Sequence, residues 1–261
     1  MQPMLNTAIQ AARKAGQLVH RATFQSSDKL KISEKQQGDF VTDIDILAER
    51  TIIDIIKTAY PDHLIYAEEE TQEGEGEYRW IIDPLDGTIN FIHGLPHFGI
   101  SIALEHKGKL VVGVIYDPIR DELFTALRGS GAKLNEHRIR VSGQVQLQKA
   151  LLGTGFPFKN KELLENYLKS FQALFQHSVD VRRAGAACLD LAYLACGRLD
   201  GFWEAGLSYW GTAAGILLVK EAGGLITDFS GAEYQPQQGN IIACSPKLLK
   251  PMLQAIKPYF P

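Results

Sequence analysis

Two aspartates three positions apart lie at the centre of the most informative stretch of the chain, Trp80-Ile-Ile-Asp83-Pro-Leu-Asp86-Gly87-Thr88. The apolar residues before Asp83 are typical of the end of a buried strand, Pro84 stiffens the bend that follows, and Gly87 allows close backbone approach. Such a bend turns both carboxylates to one side, where they can bind one hard cation. Mg²⁺ prefers oxygen ligands and often adds water and a substrate phosphate. Thr88 is the predicted start of the next helix, whose N-terminus favours a phosphate anion.

The same residues are also compatible with a simple capped turn, since Asp often starts turns and Gly often ends them. A bare Asp-x-x-Asp-Gly leaves both interpretations open. The full string from Trp80 to Phe91, in which a buried strand leads into the two carboxylates, favours the metal site.

The elements before this string are predicted from apolar periodicity. Residues 3–24 have helical spacing, and a second helix is predicted from Thr42, as its N-cap, to Tyr60. Asp45 falls in the first turn of that helix, where a carboxylate complements the helix dipole. Residues 63–67 are predicted to form a buried strand. Glu68-Glu69-Glu70 follows it, and such a charge run is usually a solvated face, although a carboxylate directly after a buried strand is well placed for catalysis.

The rest of the chain divides into two patterns. Residues 98–134 alternate short apolar runs with turns, which predicts an antiparallel sheet and a first subdomain of residues 1–145. Residues 146–261 alternate strands and helices, which predicts an α/β subdomain covered on both faces. Its strands are predicted at 150–153, 178–182, 199–204, 225–229 and 240–243, and its helices at 161–176, 185–196 and 210–222. A last helix is predicted from Ser245-Pro246, with Pro251 interrupting or kinking it.

Composition excludes several classes of function. The chain of 261 residues has 45% hydrophobic residues, 27 basic and 30 acidic residues and a net charge of -3, which argues against a protein that coats nucleic acid. Three cysteines without a Cys-x-x-Cys pair indicate reduced thiols rather than a disulfide framework or a zinc site. We see no signal peptide and no apolar run near the roughly 20 residues that cross a bilayer. These features predict a cytoplasmic protein without a membrane partner.

The string Asp83-Pro-Leu-Asp86-Gly-Thr-Ile-Asn-Phe91 resembles the signature of the inositol monophosphatase family. The members of this family are metal-dependent phosphomonoesterases. The resemblance covers nearly the whole chain and is greatest to bacterial members of the extragenic-suppressor type. It implies a layered α-β-α-β-α sandwich, of mixed α+β / α/β class. The other matching segments are Gly38-Asp-Phe-Val-Thr-Asp-Ile-Asp45, Ala67-Glu-Glu69, Gly153-Thr-Gly-Phe-Pro157, Arg182-Arg-Ala-Gly185 and Glu221-Ala-Gly-Gly224.

The resemblance also implies roles for individual residues. Mg²⁺ is the implied cofactor. Its implied ligands are Glu68, Asp83, the carbonyl of Leu85, and Asp86. Asp45, Thr88 and Glu68 are the implied catalytic residues: Asp45 and Thr88 orient the attacking water, and Glu68, supported by Glu69, is shared between two metal sites. The implied substrate-binding residues are Asp86, Gly87, Thr88, Arg182, Ala187 and Glu204, and Lys35 is the implied loop lysine near the site.

One position departs from the family pattern. The family's second motif reads Trp-Asp, whereas this chain reads Trp210-Gly211, and glycine supplies no side-chain oxygen for the second metal. Ser208 and Thr212 nearby are poor substitutes. The sequence therefore predicts a weak or inactive phosphatase.

Two functions follow from these observations. The first is Mg²⁺-dependent hydrolysis of a small polyol phosphate such as inositol 1-phosphate. Fructose bisphosphate, nucleotide phosphates and histidinol phosphate remain open as substrates. The resemblance implies inhibition by lithium if the second metal site forms. The second is a scaffold, since the resembling bacterial proteins associate with the transcription antitermination machinery and influence ribosomal RNA synthesis. The resemblance also implies a homodimer.

Overall fold

The structure is a computed structural model that describes residues 1–24, 32–36, 39–69, 76–157 and 160–260. Its helices are α1 (Gln2–Thr23), α2 (Asp43–Ala59), α3 (Thr88–Ile92), α4 (Leu164–Phe175), α5 (Ala187–Ala195), α6 (Tyr209–Glu221) and α7 (Leu249–Ile256). Its strands are β1 (Ile32–Gln36), β2 (Asp39–Thr42), β3 (Leu64–Ala67), β4 (Tyr78–Asp86), β5 (Gly99–His106), β6 (Lys109–Asp117), β7 (Glu122–Leu127), β8 (Gly131–Leu134), β9 (His137–Ile139), β10 (Leu151–Thr154), β11 (Asp180–Arg182), β12 (Gly201–Glu204), β13 (Leu225–Thr227) and β14 (Ile241–Cys244).

The larger sheet lies in the first half of the chain. Among the described residues, its strands are ordered β3-β4-β5-β6-β7-β8-β9, and each neighbouring pair from β4 onward is antiparallel. This confirms the predicted antiparallel sheet, and the strands follow one another in chain order. The edge strand β3 differs from the other strands of this sheet, because it pairs with β4 in parallel. The register pairs Ala67 at the end of β3 with Ile82, next to Asp83 in β4.

The smaller sheet lies in the second half and is ordered β11-β10-β12-β14-β13 within the described part of the chain. The strand β10 runs parallel to both β11 and β12, as helical crossovers require. The strand β14 runs antiparallel to β12 and β13, so the sheet is mixed. The predicted alternation of strands and helices is therefore confirmed, although the pattern did not reveal the two antiparallel pairings.

Three apolar clusters of described residues separate the layers. The helices α1 and α2 cover one face of the larger sheet, through residues such as Ile52, Trp80 and Ile102. The helices α5 and α6 lie between the two sheets, and α4 and α7 cover the outer face of the smaller sheet. This is the α-β-α-β-α sandwich. Because the middle cluster joins residues of both halves, the division at residue 145 remains a prediction, and it falls between β9 and β10.

Small residues let the middle helices approach closely. A Cβ added at Gly113 would lie 2.9 Å from the carbonyl oxygen of Ala214, and one at Gly215 would lie 2.5 Å from the Cβ of Leu191. At the end of α6, the Glu221 carboxylate accepts hydrogen bonds of 2.8 Å from the amides of Gly129 and Gly131. The Glu221-Ala-Gly-Gly224 motif therefore joins α6 to the turn between β7 and β8 rather than to the site.

Two local predictions need correction. The strand before Asp83 does not end there, because β4 continues to Asp86 through an irregular pairing with β5. Pro251 does not interrupt the last helix. A 3₁₀ turn over Pro246–Leu248 precedes α7, so Pro251 falls in the first turn of α7, where its missing N–H leaves no helical bond unmade.

Cys188, Cys196 and Cys244 are free, and no described helix is long and apolar enough to span a bilayer.

Candidate active site

A bulge in β4 positions the two aspartates. Asp83 pairs with Ser101 and Asp86 pairs with Gly99, so β4 uses one more residue than β5 over this interval. Pro84 has no N–H to offer the ladder, and the Asp83 carboxylate accepts a hydrogen bond of 3.2 Å from the amide of Leu85. The bulge changes the direction of successive side chains and brings Asp83 and Asp86 to the same pocket.

Asp45 is held beside this bulge by three hydrogen-bonding groups. It caps its own helix reciprocally with Thr42, whose amide donates at 2.9 Å and whose hydroxyl forms a short contact to Oδ2. Its other oxygen lies 3.1 Å from the hydroxyl of Thr88, which in turn lies 3.0 Å from the carbonyl of Leu85. A hydroxyl has one hydrogen, so Thr88 donates to one of these oxygens at a time.

Two tethers connect the motif to the second half of the chain. The amide of Cys188, at the start of α5, donates a hydrogen bond of 2.6 Å to Asp86 Oδ2. The side-chain amide of Asn90 donates to the carbonyls of His97 at 2.7 Å and Ala184 at 2.9 Å. The loop before α5 is therefore fixed against α3, which follows the aspartates.

The pocket itself lies between the two halves. Among the residues predicted for metal or substrate, those lining it are Glu68, Asp83, Leu85, Asp86, Gly87, Thr88, Ala187 and Glu204. Asp45 contacts the pocket through Thr88. Arg182 is not brought to it: it lies on the edge strand β11, exposed, and its guanidinium bonds the Asp180 carboxylate at 2.5 Å. The neighbouring Arg183 lines the pocket instead.

The pocket concentrates negative charge. Burial, and then the charges of Glu68 and Asp86, raise the pKa of Asp83 well above its usual range. Burial also raises the pKa of Asp45 to about 6, although the hydrogen bonds from Thr42 oppose this shift. Carboxylates that are buried together in this way favour either protonation or the arrival of a cation.

These groups fit a hard divalent cation in part. Within the described part of the chain, no three His, Cys, Asp or Glu side chains form a preformed metal cage. Mg²⁺ does not require one, since it is commonly bound by one or two carboxylates together with water and phosphate. Asp83 and Asp86 would hold it, with Glu68 and the Leu85 carbonyl beside them.

Gly211 lies at the wall of this pocket, as the third residue of α6. A Cβ added there would meet only Asp83 Oδ2, at 3.4 Å, so a carboxylate at this position would face the Asp83 carboxylate. The hydroxyl of Thr212 is engaged within α6 by the carbonyl of Tyr209 at 3.2 Å. Position 211 therefore faces the site but offers no side-chain oxygen to it.

Four residues at or beside the site were not given a role from the sequence. They are Glu49, Asn90, Arg183 and Asp190. Glu49 lies one turn after Asp45 on α2 and accepts a hydrogen bond of 2.9 Å from the amide of Glu69, and this i, i+4 spacing was a usable signal. Asn90 was within the central string. Asp190 is the only acidic residue of α5, and it lines the pocket together with Arg183. Glu70 lies outside the described residues, and only the backbone of Lys35 is described, in β1.

A mixed α/β sandwich with a carboxylate pocket at the junction of its halves defines a class of fold, and comparison with known proteins identifies the class. The chain belongs to the inositol monophosphatase family, whose profile matches residues 1–258. This family is generally magnesium-dependent.

Particular relatives are similar over nearly their whole lengths. Nus factor SuhB of Pseudomonas aeruginosa is 52% identical, over 100% of this chain and 98% of its own. Nus factor SuhB of Escherichia coli K12 is 50% identical, over 97% of this chain and 95% of its own. Among solved structures, the extragenic suppressor protein suhB of Bartonella henselae has a TM-score of 0.94 and 43% identity, with 98% of each chain covered. The IMPase of Thermotoga maritima has a TM-score of 0.89 and 36% identity, covering 99% of this chain and 98% of its own.

Proposed function

We propose that the protein is a Mg²⁺-dependent phosphomonoesterase that hydrolyses a small polyol phosphate such as inositol 1-phosphate, slowly because of Gly211. The observation that supports this most directly is the linked set of Asp45, Thr88 and the Leu85 carbonyl beside the two aspartates of β4. It joins a buried carboxylate to a hydroxyl at the place where the phosphate would be held.

In this proposal Asp45 and Thr88 orient a water for direct attack on phosphorus, so no covalent enzyme intermediate forms. Asp45 accepts the proton of that water, and a base with a pKa of about 6 suits this task near neutral pH. Bound Mg²⁺ would neutralise phosphate charge and stabilise the leaving oxygen. Glu204 would accept hydrogen bonds from substrate hydroxyls, while Ala187 and Gly87 leave room beside the phosphate.

The missing carboxylate at Gly211 lowers the rate of hydrolysis that we expect. A second cation would have two carboxylates, Asp83 and Asp86, rather than three. Loss of one group that stabilises transition-state charge typically costs about 10²–10³-fold in rate. We therefore expect turnover that is low but measurable, and increased when the carboxylate is restored.

The test is Mg²⁺-dependent phosphate release from inositol 1-phosphate by the natural chain and by Gly211→Asp. Gly143→Asp is the matched control, because it adds the same charge at an exposed position with no atom within 4 Å of its Cβ. Higher activity in Gly211→Asp alone supports the proposal, and lithium should then inhibit that variant more strongly. Absence of turnover in both chains would contradict the phosphatase proposal, whereas fast turnover by the natural chain would contradict the role given to Gly211.

A second candidate is a role in transcription antitermination, in the cytoplasm. Two observations favour it: relatives about half identical to this chain are named Nus factors, and Gly211 weakens the enzymatic alternative. A reconstituted antitermination reaction, with and without this protein, tests it directly. If Gly211→Asp changes hydrolysis but leaves antitermination unchanged, the two roles are separate. The homodimer implied by the family is tested by sedimentation of the purified chain.

A further inference from the structure

The chain leaves the larger sheet at Glu69, where a buried carboxylate of another element holds it. The amide of Glu68 still donates to the carbonyl of Ile82 at 3.2 Å, which extends the pairing of β3 with β4 by one bond. The amide of Glu69 donates instead to Glu49 Oε2 at 2.9 Å, across 20 residues of chain. A backbone N–H at the end of a strand needs such a partner when the strand no longer supplies one. This hydrogen bond therefore fixes the direction in which the chain turns directly after Glu68.

Glu49 is itself held in place by the packing of α2. Its side chain is 2% exposed, and it lies one turn after Asp45, which is 1% exposed. Residues four apart on a helix face the same side, so α2 presents both carboxylates in one direction. The helix is fixed on the sheet, because Ala48 and Ile52 are fully buried in the apolar cluster that contains Ile82. A buried carboxylate on such a helix has little freedom to move, and it restricts the amide that it binds.

Two parts of the proposed site are thus positioned by one helix. Asp45, in the first turn of α2, contacts the hydroxyl of Thr88 at 3.1 Å, and Glu49 holds the residue that follows Glu68. Glu68 lines the pocket, and Glu49 reaches that segment from behind through its backbone. Residues that orient a metal ligand without touching the metal typically change metal affinity or activity by about 10–100-fold when they are replaced. The contact of Glu49 has the form of such an interaction.

We propose that Glu49 is a positioning residue for the cation: by accepting the hydrogen bond of the Glu69 amide, it keeps the carboxylate of Glu68 in the pocket and so increases the affinity for Mg²⁺. The step that depends on Asp45 is affected much less, because its contacts to Thr42 and Thr88 do not involve Glu49. This inference rests on the proposed phosphatase function, in which Glu68 lies beside the bound cation, and adds to it a residue that does not touch the substrate.

The experiment measures Mg²⁺ binding by calorimetry, and phosphate release as a function of Mg²⁺ concentration, for the natural chain and for Glu49→Ala. Loss of the acceptor should raise the dissociation constant of Mg²⁺ by about tenfold or more, and the Mg²⁺ concentration for half-maximal hydrolysis should rise with it. The rate at saturating Mg²⁺ should stay close to that of the natural chain.

Two further variants identify the cause. Glu49→Gln keeps an oxygen that can accept the hydrogen bond of the Glu69 amide, so it should bind Mg²⁺ nearly as tightly as the natural chain. Asp54→Ala is the matched control, because it removes an exposed acid from the same helix, and it should leave the affinity unchanged.

Binding and hydrolysis together separate this inference from the phosphatase proposal. Unchanged Mg²⁺ affinity in Glu49→Ala, or an equal loss of affinity in Glu49→Gln, would overturn the inference and leave the phosphatase proposal standing. Mg²⁺ binding that depends on Glu49, without hydrolysis by the natural chain or by Gly211→Asp, would support the inference and contradict the phosphatase proposal. Failure of the natural chain to bind Mg²⁺ would overturn both. If Glu49→Ala does not fold, Glu49→Asp, whose side chain is shorter by one methylene group, should show the same loss of affinity.

Discussion

The amide of Cys188 donates a 2.6 Å hydrogen bond to Asp86 Oδ2 across 102 residues of chain. The second aspartate of the central motif is thus oriented by the first turn of α5, in the other half of the molecule. Asn90 makes the parallel connection from α3 to the loop before α5. The pocket depends on both halves, and contacts between them should affect both stability and the site.

The first prediction concerns Asn90. Asn90→Ala removes the donors to the carbonyls of His97 and Ala184, and a buried acceptor left without a partner costs about 1–3 kcal/mol. We expect the free energy of unfolding in urea to fall by that amount. Asn6→Ala, on the exposed face of α1, is the control and should change it by less than about 0.5 kcal/mol. Equal effects of the two changes would show that the tether is not important for stability.

The second prediction is a pH dependence that arises from Asp45. Its pKa rises from 3.8 to about 6 on folding, so protonation stabilises the folded state. That contribution is fully present below pH 3.8 and is lost as the pH rises through about 6. The metal-free protein should lose about 1.4 kcal/mol of unfolding free energy from this group between about pH 5 and pH 7.5.

Chemical unfolding in a metal chelator at several pH values measures this effect. Asp83, Asp190 and Glu204 have raised pKa values and act in the same direction, so the total change should exceed that of Asp45 alone. Asp45→Asn should flatten the profile by the stated amount. A profile that is the same in both proteins would mean that Asp45 titrates near its ordinary value.

The third prediction concerns the hydroxyl of Thr88. Thr88→Val keeps the shape but removes the group that links Asp45 to the Leu85 carbonyl. Phosphate release should fall by about 10²-fold, because the attacking water loses one of the two groups that orient it. Thr88→Ser, which keeps the hydroxyl, should retain most of the activity. If the natural chain is too slow, the same pair of changes can be compared in the Gly211→Asp background.

Particular residues show how far the sequence could predict the site. The pocket position of Asp83 and Asp86, the place of Asp45 and the layered fold were predicted because buried strands, helix caps and the family signature are local features. The local sequence could not show which of the two arginines, Arg182 or Arg183, lines the pocket. Arg182 is the last residue of β11 and Arg183 follows it, and only the packing of β11 at the sheet edge shows that Arg182 meets Asp180 while Arg183 reaches the pocket. Asp190 was missed for the same reason, since a lone acid in a small-residue helix has no periodic signal.

The last prediction concerns metal binding at position 211. Gly211→Asp places a third carboxylate towards Asp83, at a helix position where a negative charge complements the dipole. Without metal, this carboxylate repels Asp83 and adds little stability. With Mg²⁺ at 100 times its dissociation constant, binding to the folded state adds about 2.7 kcal/mol, so the melting temperature should depend more steeply on Mg²⁺ than in the natural chain. Gly211→Asn, which has the shape without the charge, should show a smaller dependence. Equal Mg²⁺ dependence in all three proteins would mean that position 211 does not contribute to a cation site.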